Sequence, residues 1–190
     1  MHVGDVKSLG IRRLVRLAAP FAFAGLLAGC FQPMYGEHSI AGGPNIRSAM
    51  RSVDVSQIPA PAGSPEARIA VETRNALVFD LNGGAAGPTL PEYRLNIRLS
   101  STRLSVIVDL TSARPEIENF GLNAVYTLTE AKTGKVVVND QTFARVSYDV
   151  PGQEQRFARA RGLRDAENRA AQTIAEAIKN RLASYFVAGT

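Results

Sequence analysis

Three stretches of strict side-chain alternation, followed by a long run at helical spacing, constrain this chain most. In EYRLNIRLSS, Tyr93, Leu95, Ile97 and Leu99 point one way while Arg94, Asn96 and Arg98 point the other. A period of two is the signature of a strand with one buried face. Phe120, Leu122, Ala124, Tyr126 and Leu128 repeat the pattern, as do Val136, Val138, Ala144, Val146 and Tyr148. EAKTGK (Glu130–Lys135) joins the last two as a hairpin turn, with Gly134 at the left-handed position. One-faced strands need cover, and helices must supply it.

From Phe157 to Phe186, Leu163, Ala166, Ala170, Ile174, Ala177, Ile178, Leu182 and Tyr185 form a helical stripe. A second helix is predicted over residues 65–81. Ser64 and Pro65 suit its first positions, and Asn82-Gly83-Gly84 its stop. Its apolar positions are Ala67, Ala70, Val71, Leu77, Val78 and Leu81. Val53, Val55 and Ile58 mark a first strand within Met50–Pro59. The apolar set moves from odd positions (93–99) to even ones (Leu104, Val106, Val108, Leu110), which predicts a bulge near Ser100–Thr102. TSARPE (111–116) reads as a loop. The expected fold is α+β: a two-layer sandwich in which a mostly antiparallel four-stranded sheet is covered on one face by two helices. The other face is polar, with Asn123, Thr127, Thr129, Asn139, Gln141 and Arg145.

Upstream of this domain the pattern changes. Arg12, Arg13 and Arg16 precede an apolar run from Leu17 to Gly29, and the chain's single cysteine, Cys30, follows. The run is too short to span a bilayer, for which about twenty apolar residues are needed, and it fits a signal peptide. Leu27-Ala28-Gly29-Cys30 resembles the lipobox of bacterial lipoproteins. There the thiol takes a diacylglyceryl group, cleavage frees its amine, and a further acyl chain is added. The chain therefore divides into a signal peptide (1–29), a lipidated N-terminus and linker (30–49) and a domain (50–188). With one cysteine no intramolecular disulfide forms, and packing alone stabilises the domain. Phe31 stands where an aspartate would signal inner-membrane retention, which favours the outer membrane, on its periplasmic side.

Little catalytic chemistry is available. Past residue 30 the one histidine is His38, in the linker, a poor base for a nucleophile. No cluster has metal-ligand spacing, and no cofactor is expected beyond the covalent lipid on Cys30. NGGAAGP lacks the Lys-Ser/Thr of a phosphate loop. Asp165 and Glu167, among Arg161, Arg164 and Arg169, read as a solvated, ion-paired helix face; Glu116 and Glu118 read as a loop or strand edge. The net charge of +5 falls to +2 without residues 1–29, which argues against nucleic acid. An accessory lipoprotein of another envelope or transport complex is compatible with these features.

Several segments in order resemble the lipopolysaccharide-assembly lipoprotein family LptE. These are Cys30, Pro33, Tyr35 and Gly36 in CFQPMYG, RNALVFDLNGG at 74–84, EYRLNIRLS at 92–100, YTLTEAKTGKVV at 126–137 and RAAQTIAEAIKNRLASYF at 169–186. The resemblance implies a non-enzymatic role: a plug in the lumen of the outer-membrane β-barrel LptD, helping to assemble it and taking part in lipopolysaccharide insertion. Arg114, in the predicted 111–116 loop, and Lys132 and Lys135, in the turn, are the candidate contacts for lipid A phosphates.

Overall fold

The computed structural model describes the backbone of residues 45–84, 87–109, 114–150 and 156–188. The expected signal peptide (1–29), Cys30, His38 and the expected linker up to residue 44 lie outside the described residues. Seven elements follow in order: α1 (Ile46–Arg51), β1 (Val53–Val55), α2 (Pro65–Asn82), β2 (Tyr93–Asp109), β3 (Arg114–Glu130), β4 (Val136–Asp149) and α3 (Arg156–Ala188).

The alternation yields a four-stranded sheet in the order β1-β2-β3-β4. β2, β3 and β4 form an antiparallel meander, and β1 pairs parallel to β2 through Val53–Val55 against Tyr93–Leu95. A parallel neighbour requires a crossover, and α2 supplies it. The Ser64 side chain accepts a hydrogen bond from the Ala67 amide (3.1 Å), and Pro65 follows it in the first turn. Gly83, at φ +65°, ends the helix in the left-handed conformation that a residue with a Cβ adopts only at a cost.

The two long helices run parallel on one face. Arg68 pairs with Glu167 near their starts, and Lys179 Nζ lies 3.2 Å from Asp80 Oδ2 near the end of α2. The core lies between them and the sheet. Ile69, Leu77 and Leu81 of α2 meet Leu95 and Ile97 of β2, Phe120 to Leu128 of β3, and Ile174, Ile178 and Leu182 of α3. Buried Ala166, Ala170, Ala171, Ala175 and Ala183 keep α3 slim enough to approach both neighbours.

Four sequence expectations change. Residues 46–51, read as linker and strand approach, form α1; Ile46, Ala49 and Met50 are buried. The stripe of α2 runs through Ile69, Thr73, Leu77 and Leu81, while Val71 faces solvent. Thr73 fits this stripe because its hydroxyl donates to the Ile69 carbonyl (2.8 Å).

The bulge near Ser100–Thr102 is absent. β2 keeps register with β3 from Tyr93↔Glu130 to Ser105↔Glu118, and the irregularity comes at Ser105–Ile107, then Val108. The polarity switch has another cause. Past Leu99 the helix-side positions are half-buried Ser101 and exposed Arg103 and Ser105, while Leu104 stands on the opposite face, 59% exposed. Finally, 114–116 of the expected 111–116 loop belong to β3, with Arg114 opposite Asp109.

Candidate functional site

β3 separates the three basic residues singled out above. Arg114 opens it, and the turn with Lys132 and Lys135 begins just after its last residue, Glu130. Sixteen steps of about 3.3 Å put them about 50 Å apart. They do not form one patch, and no single headgroup reaches both ends.

The end that β3 starts from is rich in arginine, and much of that charge is already committed. Glu118 is on the helix-side face of the central strand β3 and is 8% exposed. It accepts hydrogen bonds from the Tyr148 hydroxyl and from Arg159 Nη2 of α3 (3.0 Å). Burial, then the Glu118 bond and charge, push the Tyr148 hydroxyl up to about 12. Glu167 is 2% exposed and pairs with Arg68, whose other nitrogen donates to Asn168 Oδ1 (3.2 Å). Glu118 is thus no edge residue and Glu167 is not solvated, contrary to the sequence reading. Asp165 does behave as expected, making an exposed helical pair with Arg169 (2.8 Å). Each buried carboxylate faces an arginine across elements, so these groups hold α3 against β3 and α2.

Beside the Arg68–Glu167 pair lies a cleft of about 700 Å³ between the start of α2, residues 160–167 of α3 and Arg103 of β2. Ala67, Val71 and Leu163 give it apolar walls; Arg103 and Arg164 add positive charge. Such a lining suits an anion with an apolar body. Sequence reading missed Arg103 because it interrupts an alternating strand, and assigned Arg164 only to a solvated face.

The sheet face away from the helices is mainly polar. Asn139, Gln141 and Arg145 are exposed along β4, and the Ser147 hydroxyl donates to Asn119 Oδ1 on β3 (2.7 Å). Leu104, Val106, Val125 and Phe143 are its exposed apolar exceptions, and the Arg145 guanidinium lies 5.2 Å from the Phe143 ring centre. Gly121 lies beneath that ring: a Cβ there would stand 2.6 Å from Thr102 Oγ1, so the Thr102 hydroxyl would have to shift, and 3.7 Å from the Phe143 ring, an ordinary contact.

The described residues contain neither histidine nor cysteine, and no group of three His, Cys, Asp or Glu among them is arranged to hold a metal. No helix among them is long and apolar enough to cross a membrane.

Comparison with known proteins agrees with this architecture. No curated protein sequence matches the chain. A lipoprotein candidate from Caulobacter crescentus CB15 has a similar crystal structure, with a TM-score of 0.60 and 20% identity, covering 76% of this chain and 97% of that one. Rare lipoprotein B from Shewanella oneidensis aligns at a TM-score of 0.51 and 13% identity over 70% of this chain and 93% of its own. An uncharacterized lipoprotein B from Nitrosomonas europaea aligns at 0.52 and 13%, over 73% and 89%. At these identities the likeness is one of fold. The family model LptE, described as lipopolysaccharide-assembly, matches residues 50–182, the whole sheet and most of α3. The chain belongs to the LptE family of lipopolysaccharide-assembly lipoproteins, a non-enzymatic family.

Proposed function

We propose that this protein is an outer-membrane lipoprotein, anchored on the periplasmic side by acyl chains on Cys30, that plugs and helps assemble an LptD-type β-barrel during lipopolysaccharide insertion. Family membership supports the pathway. The observation that carries the plug is the polar sheet face turned away from both long helices. Large outer-membrane barrels have polar interiors, and the amides, hydroxyls and arginines that make up most of this face, between exposed Leu104, Val106, Val125 and Phe143, meet such a wall through hydrogen bonds and ion pairs. An apolar face there would pay desolvation on the barrel side for nothing in return.

Lipid A presents phosphates on an apolar body. Arg114, with Arg103 and Arg164 at the cleft in the same half of the domain, forms one set of candidate contacts; Lys132 and Lys135 form a separate set at the other end. Arginine binds phosphate in a bidentate fork, so the arginine set is the stronger candidate.

Photocrosslinking in intact cells from Asn139, Gln141 and Arg145 tests the plug. Adducts to a large outer-membrane barrel are expected. Adducts confined to inner-membrane or soluble proteins would remove it. Separate charge reversal of Arg103 with Arg164, of Arg114, and of Lys132 with Lys135 then tests the phosphate contacts. A set whose reversal leaves lipopolysaccharide binding in vitro unchanged is no contact.

A further inference from the structure

β1 is short, and beyond it the edge of the sheet is open. Glu92 leads into β2: its amide donates to the Ser52 carbonyl at the end of α1 (3.0 Å), and its carbonyl accepts from the Ala131 amide of the β3–β4 turn (2.7 Å). α1, β1 and the turn with Lys132 and Lys135 therefore share one end of the domain. There β1 pairs with β2 over Tyr93–Leu95 only. The Tyr93 amide donates to the Ser52 carbonyl (3.3 Å), and the Leu95 carbonyl accepts from the Ser56 amide (3.0 Å). The chain then leaves for α2. Backbone groups of alternate residues face the same edge of a strand, so those of Ile97, Leu99 and Ser101 face the side that β1 has left. Among the described residues no strand and no hydrogen bond meets them there.

The opposite edge of the sheet is blocked by side chains at two points. Along β4 the Ser147 carbonyl accepts from Arg169 Nη2 of α3 (3.5 Å). The Gln141 amide donates to Asp140 Oδ1 (2.8 Å), and Asp140 Oδ2 accepts from Arg181 of α3 (3.0 Å). Edges are commonly blunted with charged side chains in this way. The edge of β2 carries no such block before the register irregularity at Ser105–Ile107.

Charge indicates what fits beside it. Between Tyr93 and Val108, β2 carries Arg94, Arg98 and Arg103 and no carboxylate. Where it has a neighbour on this edge, an acid stands opposite an arginine: Asp54 of β1 is in register with Arg94. Arg98 stands on the same face four residues further on. It is exposed, its neighbour on β3 is Val125, and it joins no ion pair among the described residues. Opposite charges directly across two strands stabilise the pairing. A second copy of β2 would bring arginines and no carboxylate, so it does not suit this edge.

We propose that an extended segment of the barrel adds to β2 along Ile97–Ser101, in line with β1, with a carboxylate opposite Arg98. The proposal rests on the reading of the domain as a plug: inside a lumen, the unpaired chain within reach belongs to the loops between barrel strands. Main-chain hydrogen bonds hold such an added strand, and side-chain partners set its register. It lies in the plane of the sheet, so the polar face stays free for the barrel wall. Arg103 and its cleft lie beyond its end.

Amide hydrogen exchange, read residue by residue on the protein alone and in its purified complex with the barrel, tests the pairing. The Leu99 and Ser101 amides are expected to exchange about tenfold more slowly, or slower still, in the complex. Those of Arg98 and Ser100 face β3 and are expected to be slow in both. Arg98→Glu is expected to remove the protection and Arg98→Lys to keep most of it. Ser101→Pro deletes an outward amide and spares the β3 ladder, so it is expected to weaken retention of the barrel where Ser101→Ala does not. Leu99 and Ser101 amides that exchange equally fast with and without the barrel overturn the proposal, and so does protection that survives Arg98→Glu. Protection that grows with the concentration of the protein alone makes a second copy the occupant and also overturns it. The plug is read separately. Barrel adducts from Asn139, Gln141 and Arg145 with Leu99 and Ser101 unprotected keep the plug and reject the added strand, whereas absence of those adducts rejects both.

Discussion

The two ends of the sheet carry the same sign of charge and use it differently. At the arginine end, Arg68 and Arg159 are matched by carboxylates that the fold has taken out of water. At the lysine end, Arg47, Arg51, Lys132 and Lys135 are exposed and join no ion pair among the described residues. A buried carboxylate converts a nearby arginine into a structural strut. A cation without such a partner keeps its charge for something outside the domain. Counting basic residues in the sequence does not separate the two cases.

The largest effect that sharpens this contrast is expected from Arg68→Ala. It leaves the Glu167 carboxylate buried without its partner, at a cost of about 2–3 kcal/mol, below the range for fully buried pairs because Arg68 itself is partly exposed. Glu167→Gln leaves Arg68 free to turn to water and is expected to cost about 1 kcal/mol. Urea unfolding of both variants measures the difference, and equal costs would mean that the pair is not a strut.

At the lysine end, Gly83→Ala is expected to cost about 1 kcal/mol from backbone strain. The new Cβ would meet only Arg51 Nη2, at 3.8 Å, so crowding adds nothing. Thermal unfolding checks this, and an unchanged midpoint would mean that the helix end relaxes out of the left-handed conformation.

Alkaline titration probes the arginine end again. Tyr148 is raised to about 12 by burial and then by Glu118, and Tyr126 to about 12 by burial and then by Asp140. An acid whose folded value lies above its unfolded value of about 10 favours the fold in its neutral form. That contribution is complete below pH 10 and is lost as pH rises from 10 toward 12. Tyr148→Phe is therefore expected to reduce the loss of stability across this window, read from denaturant unfolding at a series of pH values. An identical loss in the variant would assign the alkaline sensitivity elsewhere.

The smallest effect completes the comparison. Replacing Arg47, Arg51, Lys132 and Lys135 one at a time by alanine is expected to change stability by no more than about 0.5 kcal/mol each. A cost near that of Arg68→Ala at any of them would make the two ends alike.

Local sequence determined much of this protein. Period-two spacing sets the side of the sheet on which Leu95, Phe120 and Val138 stand, because successive strand side chains alternate whatever surrounds them. Ser64, Pro65 and Gly83 mark the ends of α2 because capping is settled within a few residues. The 3.6-residue stripe of α3 is local in the same way.

Tertiary structure decided whether a face is covered, which no short window of sequence contains. Leu104 obeys the alternation, yet it lies on the side without helices, so it is exposed where Leu95 is buried. Glu118 and Glu167 look like surface acids in sequence. They are buried because Arg159 and Arg68 arrive from elements 41 and 99 residues away to compensate them. Arg114 sits closer in sequence to Lys132 than Arg68 does to Glu167, but the length of an extended strand holds the first pair about 50 Å apart while packed parallel helices bring the second into contact. Chain direction and packing, rather than sequence separation, set which charges meet and which are left for a partner.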